Sequence, residues 1–506
     1  MYSGNGDLLL GIDIGTTGTK CSIYDFSGRI VATAYQDYPM IHPQPNWTEQ
    51  DPRIWWACVC QNLRSCFGEQ GIDSARIAAI GVSCTNAVTL VNAQGEPLYN
   101  AIGLHDRRSW DQLAWLENTV GNDYIRRKSG NRFSIGTCAL TSMRWLIEKR
   151  PELIAKGHKF LMPSGYVIQH LTGEFSINTS RMDLTTLGNI VTGQWEKETI
   201  ERAEFPERLL PRVYKSTDIV GTVTAKAAEE TGLKPGTPVT AGSVDTMAAT
   251  VGAGAVYDGD CAITIGSSGR LCFVSDKPSG NERIINSHLA FDERYLVVQT
   301  TDNAGVSLRW FRDMFGPLAY AEGESRTGSV YDRISEAAAA VKPGPDSMIY
   351  LPYLSGEKSP IWDANARGLF FNIGLGSGFG AFARAVMEGV AFSIRDCANV
   401  VTDDVSGDAP IPLGGGIANS RFWSQIFADV LGRPMVRLKN NETETLGDII
   451  IAANAIGLDC IPKDFGKALA AEGEILYPNK ELSGVYDELF VKYKELYESV
   501  KHLYRK

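Results

Sequence analysis

The sequence predicts an α/β fold divided into two similar lobes, and three observations carry that prediction. The 506 residues exceed the roughly 100–200 that one core usually holds, so two large lobes are the simplest arrangement. A glycine- and hydroxyl-rich segment recurs: residues 10–25 and 261–276 align, with Gly266 following Gly15 by 251 positions, close to half the chain. Around these copies, apolar strand-like runs alternate with stretches whose apolar residues fall at helical spacing. Composition agrees, since 44% hydrophobic and 21% charged residues suit an ordinary globular chain and exclude collagen-like or low-complexity scaffolds.

Taken in order, Leu8, Leu9, Leu10 and Ile12 read as a strand ending at Asp13, followed by the turn Gly15-Thr16-Thr17-Gly18 and a second strand. Such a hairpin tip offers backbone N–H groups and hydroxyls that can hold phosphate. Residues 54–64 have helical spacing. The uncharged run 77–95 contains Ser83, Thr85, Asn86, Thr89 and Asn92, so it reads as two buried strands around a polar turn rather than a bilayer span. A helix over 142–148 and a strand over 238–241 follow, and the Gly/Ala-rich stretch 248–257 separates the copies. The expected lobes are therefore 1–250 and 251–506. The second opens on its own hairpin and continues with helices over 306–315, 381–390 and 422–431 and a strand over 348–351. A last helix, 486–503, places Leu489, Tyr493, Leu496, Val500 and Leu503 on one packing stripe.

Charge and cysteines narrow the function. With 49 Lys+Arg against 59 Asp+Glu, the net charge of −10 offers no basic field for a polyphosphate backbone, so nucleic acid is not an expected partner. The ten cysteines form no CxxC pair or zinc array and read as reduced thiols. Residues 1–6 lack a basic n-region, and the expected location is cytoplasmic, without a membrane partner.

Two carboxylates stand out. Asp13 closes an apolar strand, where a buried charge costs several kcal/mol unless compensated. Mg²⁺ with phosphate would compensate it, and so would hydrogen bonds from the adjoining turn. The second copy has Thr264 in its place. Asp245 sits where a strand ends at Gly242 and a helix begins. It reads either as a helix cap or as a general base for a hydroxyl that attacks phosphorus. The glycine turn Gly414-Gly415-Gly416, running to Asn419 before a helix, suits close approach of an anion. Asp106-Arg107-Arg108 marks either a polar pocket or a solvated loop.

Eight motifs in order then resemble the FGGY carbohydrate kinases, with a pattern nearest the xylulose and gluconate kinase branches. They are Gly11-Ile-Asp-Ile-Gly-Thr-Thr17, Trp47-Thr-Glu-Gln-Asp51, His105-Asp-Arg-Arg108, Gly242-Ser-Val-Asp245, Ile265-Gly-Ser-Ser268, Asn303-Ala-Gly305, Gly356-Glu-Lys-Ser-Pro360 and Gly414-Gly-Gly-Ile-Ala-Asn-Ser420. The resemblance implies two ribonuclease H-like lobes of the actin, Hsp70 and hexokinase kind, with ATP between them. It implies that Asp13 positions Mg²⁺, that Thr16 and Thr17 approach the transferred phosphate, and that Asp245 takes the substrate proton. Ser267, Ser268, Gly305, Gly415, Gly416 and Asn419 would touch the nucleotide, while Thr85, Asn86, Asp106, Arg108 and Thr246 would face the sugar. A homodimer is also common among such proteins.

Departures lie mostly in the sugar half: Thr85-Asn86 replaces the Met-His of xylulose kinases, Thr246 replaces Asn, and Leu104 replaces the Trp of glycerol kinases, while in the family signatures Ser142 replaces a lysine, Asn372 a glycine and Ala381 a polar residue. The reading favours a ketose such as xylulose over glycerol, with a sugar acid such as gluconate or a polyol as alternatives within the class. An Hsp70- or actin-like ATPase that binds proteins is the alternative from another class.

Overall fold

The computed structural model describes residues 6–319, 329–401 and 409–504; the sequence reading of residues 1–5 lies outside them. The chain forms two compact units that interleave along the sequence. The first comprises Met1–Asp260, Val274–Val297 and Glu442–Lys467; the second comprises Cys261–Phe273, Val298–Asn441 and Ala468–Lys506. The expected division at 250/251 thus falls ten residues before the first crossover, at Asp260, and two later segments return to the first unit.

The first unit is built on a sheet ordered Ile219–Thr222, Pro238–Thr240, Ile77–Cys84, Leu8–Ile14, Gly18–Asp25, Ile30–Asp37. Leu8–Ile14 runs antiparallel to Gly18–Asp25, as the hairpin reading requires, and parallel to Ile77–Cys84. Ile77–Cys84 is buried along its whole length, as a strand covered on both faces must be. The uncharged run does form two strands, Ile77–Cys84 and Ala87–Val91. Asp51 caps the helix Pro52–Arg64 by accepting from the Arg53 N–H at 3.0 Å, and that helix buries Trp55, Val59 and Leu63.

A helix with no counterpart in the sequence reading, Thr443–Ala455, covers this sheet and packs against Asp245–Gly252. It lies very close. A Cβ on Gly81 would stand 2.2 Å from the Asp448 carbonyl oxygen, and one on Gly447 would stand 1.9 Å from that of Ala248. Only glycine permits both approaches.

The second unit repeats the scheme. Cys261–Ile265 pairs antiparallel with Gly269–Ser275 and parallel with Ile411–Gly415, which pairs parallel with Met435–Arg437. The expected helices are present as Gly305–Phe315, Phe379–Val401 and Arg421–Leu431. The last helix runs Ser483–Val500, and its buried face is Tyr486, Leu489, Phe490, Tyr493 and Tyr497. Leu496 and Val500 are half-buried, because a straight helix drifts off a strict seven-residue repeat, and Leu503 is exposed beyond the helix end, in the short 3-10 turn Lys501–Leu503. Among the described residues, no helix is long and apolar enough to cross a membrane.

Candidate active site

In the first unit, strand register gathers the candidate residues. Asp13 pairs with Ser83, and Ser83 pairs with Ser243 on the short strand Ser243–Val244. These three positions form one row at the carboxyl ends of parallel strands, where α/β sheets characteristically bind ligands. Asp245 follows as the first residue of its helix.

Asp245 does not act as the helix cap, since that position belongs to Val244. Its Oδ1 accepts hydrogen bonds from the Thr246 N–H at 2.6 Å and from Thr246 Oγ1 at 3.1 Å, which fix the carboxylate's orientation. Thr246 therefore touches the candidate base directly. Asp13 accepts a hydrogen bond from Ser83 Oγ at 2.9 Å. Burial raises the Asp13 carboxyl above its ordinary range, and the negative charges of Glu444 and Asp245 add to the rise, opposed by Ser83 and Lys20. Lys20 itself pairs with Glu442.

The hairpin tip is held from outside. Gly15 N–H donates to the Gly18 carbonyl at 2.9 Å, Tyr38 Oη to the Gly15 carbonyl at 2.5 Å, and Gln50 Nε2 to the Thr16 carbonyl at 2.7 Å. The Thr16 and Thr85 hydroxyls meet at 2.8 Å, while Thr17 is exposed. Asn86 spends its amide N–H groups on the Gly136 and Thr137 carbonyls, and Arg181 donates to its oxygen at 3.3 Å.

Asp106 and Arg108 form neither a solvated loop nor an open pocket. The Arg108 side chain has no exposed surface; it pairs with Asp106 and Glu49, each at 2.7 Å, and its guanidinium lies 3.7 Å from the centre of the Trp47 ring. Asp106 Oδ2 also accepts from the Thr48 N–H at 2.7 Å. This network anchors the Trp47-Thr48-Glu49 segment and leaves the guanidinium nothing exposed with which to meet a ligand.

The second unit gathers the other candidates around its own hairpin tip. The register Ile265↔Gly415 brings the glycine turn beside the strand that leads into Ser267 and Ser268. Gly305 opens its helix with its N–H donated to the Gly266 carbonyl at 3.0 Å, and a Cβ there would stand 2.1 Å from that oxygen. Gly305 thus lets a helix N-terminus rest on the tip, a placement suited to anions. Ser267 Oγ accepts from Arg309 Nη2 at 2.8 Å, and exposed Asn419 accepts from Asn441 Nδ2 at 3.1 Å. Gly416 is exposed at the start of the short helix Gly416–Asn419.

The sequence reading missed Glu444, Asp448 and Ser83. A helix buried on nearly all sides yet carrying an aspartate was the available signal. Among the described residues, no group of three or more His, Cys, Asp or Glu side chains is arranged to hold a metal ion. Mg²⁺ does not need one, because it is usually held by one or two carboxylates together with phosphate oxygens and water. The hard, crowded oxygens around Asp13 fit that mode.

The N-terminal domain of the FGGY family of carbohydrate kinases matches residues 8–252, and the C-terminal domain matches 261–456. The xylulose kinase of Staphylococcus epidermidis (strain ATCC 12228 / FDA PCI 1200) is 28% identical over 98% of both chains. The gluconokinase of Bacillus subtilis (strain 168) is 27% identical over 89% of this chain and 88% of its own. The structure of ligand-bound xylulose kinase from Lactobacillus acidophilus superposes with a TM-score of 0.87 at 26% identity, covering 98% of this chain and 99% of that one. The duplicated hairpin sheets are thus the actin- and hexokinase-like scaffold expected from the sequence, and the chain belongs to the FGGY family of carbohydrate kinases, enzymes that transfer phosphate to a sugar hydroxyl.

Proposed function

We propose that this kinase uses ATP to phosphorylate a small ketose such as xylulose, with Asp245 as general base. The observation that carries the assignment is the carboxylate of Asp245, held by Thr246 beyond the row that contains Asp13. A hydroxyl attacking phosphorus must give up its proton within hydrogen-bond reach, and a carboxylate fixed through one oxygen keeps a constant aim. Thr16, Thr17 and the clamped tip present hydroxyls and N–H groups to the phosphoryl group. Ser267, Ser268, Gly305, Gly415, Gly416 and Asn419 cradle the nucleotide. Asp13 would hold Mg²⁺, which supplies neutralisation of phosphate charge when bound. Thr85, Asn86 and Thr246 shape the sugar side, and the buried Asp106–Arg108 network holds it in place.

A sugar acid such as gluconate is the second acceptor class, favoured by the likeness to gluconokinase. Pentuloses, hexuloses, polyols and aldonates compared in one assay coupled to ADP release separate the two. Turnover with a ketose is expected, turnover with aldonates alone selects the sugar acid, and ADP release at one rate with or without every sugar would overturn both.

A further inference from the structure

At the hairpin tip Gly15-Thr16-Thr17, the bonds made by the carbonyls decide where the N–H groups point. Three consecutive carbonyls are taken by one stretch of chain, residues 38–50. That of Gly15 accepts from Tyr38 Oη at 2.5 Å, that of Thr16 from Gln50 Nε2 at 2.7 Å, and that of Thr17 from the Tyr38 N–H at 3.0 Å. Both side chains are interior groups, Tyr38 being 7% exposed and Gln50 4%.

A peptide unit is planar and trans, so its C=O and its N–H point in opposite directions. Tying the Gly15 carbonyl to Tyr38 therefore turns the Thr16 N–H away from the 38–50 stretch, and tying the Thr16 carbonyl to Gln50 does the same to the Thr17 N–H. Neither N–H has an acceptor among the described residues. Successive backbone N–H groups left free in this way make an anion-binding concavity. Because the carbonyls are already committed, the N–H groups need no reorganisation when negative charge develops in front of them. Gln50 is itself set in place. Its strand Glu49–Gln50 pairs with Ala101–Gly103, and Glu49 accepts from Arg108 Nη1 at 2.7 Å, Tyr99 Oη at 3.1 Å and Asn100 Nδ2 at 3.0 Å. The buried arginine network thus continues through Gln50 to the hairpin tip.

We propose that Tyr38 and Gln50 are positioning residues for phosphoryl transfer: by holding the Gly15 and Thr16 carbonyls they aim the Thr16 and Thr17 N–H groups at the oxygens of the phosphoryl group in transit, where charge is spread in the transition state. Both side chains act through the backbone. The proposal rests on reading this tip as the one that meets the transferred phosphate.

The test uses the full chain with Tyr38→Phe and Gln50→Met, which nearly keep side-chain volume and remove one donor each. Each should lower kcat by about ten- to a hundredfold, as expected when a preorganised donor to developing charge loses its aim, with KM for ATP and for the sugar within about twofold. Affinity for ADP with Mg²⁺ and aluminium fluoride, a mimic of the phosphoryl group in transit, should fall by a similar factor relative to affinity for ADP alone. A tip that was merely loosened would raise KM for ATP and keep kcat. That result, or an unchanged kcat in either folded variant, would overturn the proposal. Melting curves identify a variant that fails to fold, and the other then decides, since each frees a different peptide unit. If the wild type phosphorylated no sugar, the kinase reading would fail, while the affinity ratio, measured without sugar, would still test the aim of the two N–H groups.

Discussion

At the scale of single residues, chemistry at this site follows from what each carboxylate is bonded to. Asp245 is oriented by its neighbour Thr246, whose N–H and hydroxyl both donate to its Oδ1. Asp245→Asn should therefore lower kcat by about 10²–10⁴ as the loss of a general base does, with ATP affinity in calorimetry left within about twofold. Collapse of nucleotide binding in that variant would contradict the role. Glu357 shows the opposite use of burial. It accepts from Thr301 Oγ1 and the Asp302 N–H, each at 2.7 Å, yet burial first and the charge of Asp302 second raise its carboxyl to about 8. A folded value above the ordinary 4.5 means that the folded chain holds more protons than the unfolded one between those limits. Its stabilisation is complete below about 4.5 and is lost as pH rises through 8. Glu357→Gln should flatten the fall of Tm across that window; an unchanged slope would show that the group stays ionised in the fold.

Elements meet at this site through glycine. Gly81 and Gly447 allow Thr443–Ala455 to rest on the sheet and on the helix Asp245–Gly252 with backbone nearly in contact. Gly447→Ala drives a methyl group into the Ala248 carbonyl, which cannot move without shifting the helix that carries Asp245. The urea midpoint should fall by an amount equivalent to about 1–3 kcal/mol or more. Gly305→Ala makes the corresponding clash at Gly266, and there the main effect should be functional. KM for ATP should rise about tenfold, since the helix N-terminus is lifted from the hairpin tip by a distance that matters to positioning. If KM for the sugar alone changed, Gly305 would not belong to the nucleotide side. Both hairpins were legible in the sequence because their turns are local, with glycine and small hydroxyls at fixed offsets. The helix Thr443–Ala455 was not, since it is apolar on most sides and lacks the one-sided stripe that marks a surface helix.

For the whole molecule, interleaving decides what can fold alone. The first unit needs Glu442–Lys467 from late in the chain, and Val274–Val297 is tied to it by the Asp183–His288 pair at 2.8 Å and by bonds between Asn131 and Asn286 at 2.8 and 2.9 Å. A fragment of residues 1–297 lacks the helix that covers its central strands, leaving the sheet face that carries Leu9, Gly11, Ala79 and Gly81 without its cover. It should melt without cooperativity and show weak near-UV circular dichroism. Joining residues 442–467 by a flexible linker should restore a single transition, and a cooperative melt by 1–297 alone would count against this account.

By itself the sequence determined the doubled hairpins, the alternation of strand and helix, the family motifs and the prominence of Asp13 and Asp245. All of these are written in short-range spacing, where turn chemistry and periodicity act over a few residues. Only the tertiary structure decided that Asp13 and Asp448 both hydrogen-bond to Ser83, that Arg108 is enclosed by tryptophan and carboxylates, and that late residues complete the first unit. The reason is physical: burial and hydrogen bonding depend on which segments pack together, and Asp13 and Asp448 belong to distant parts of the chain that no local pattern connects.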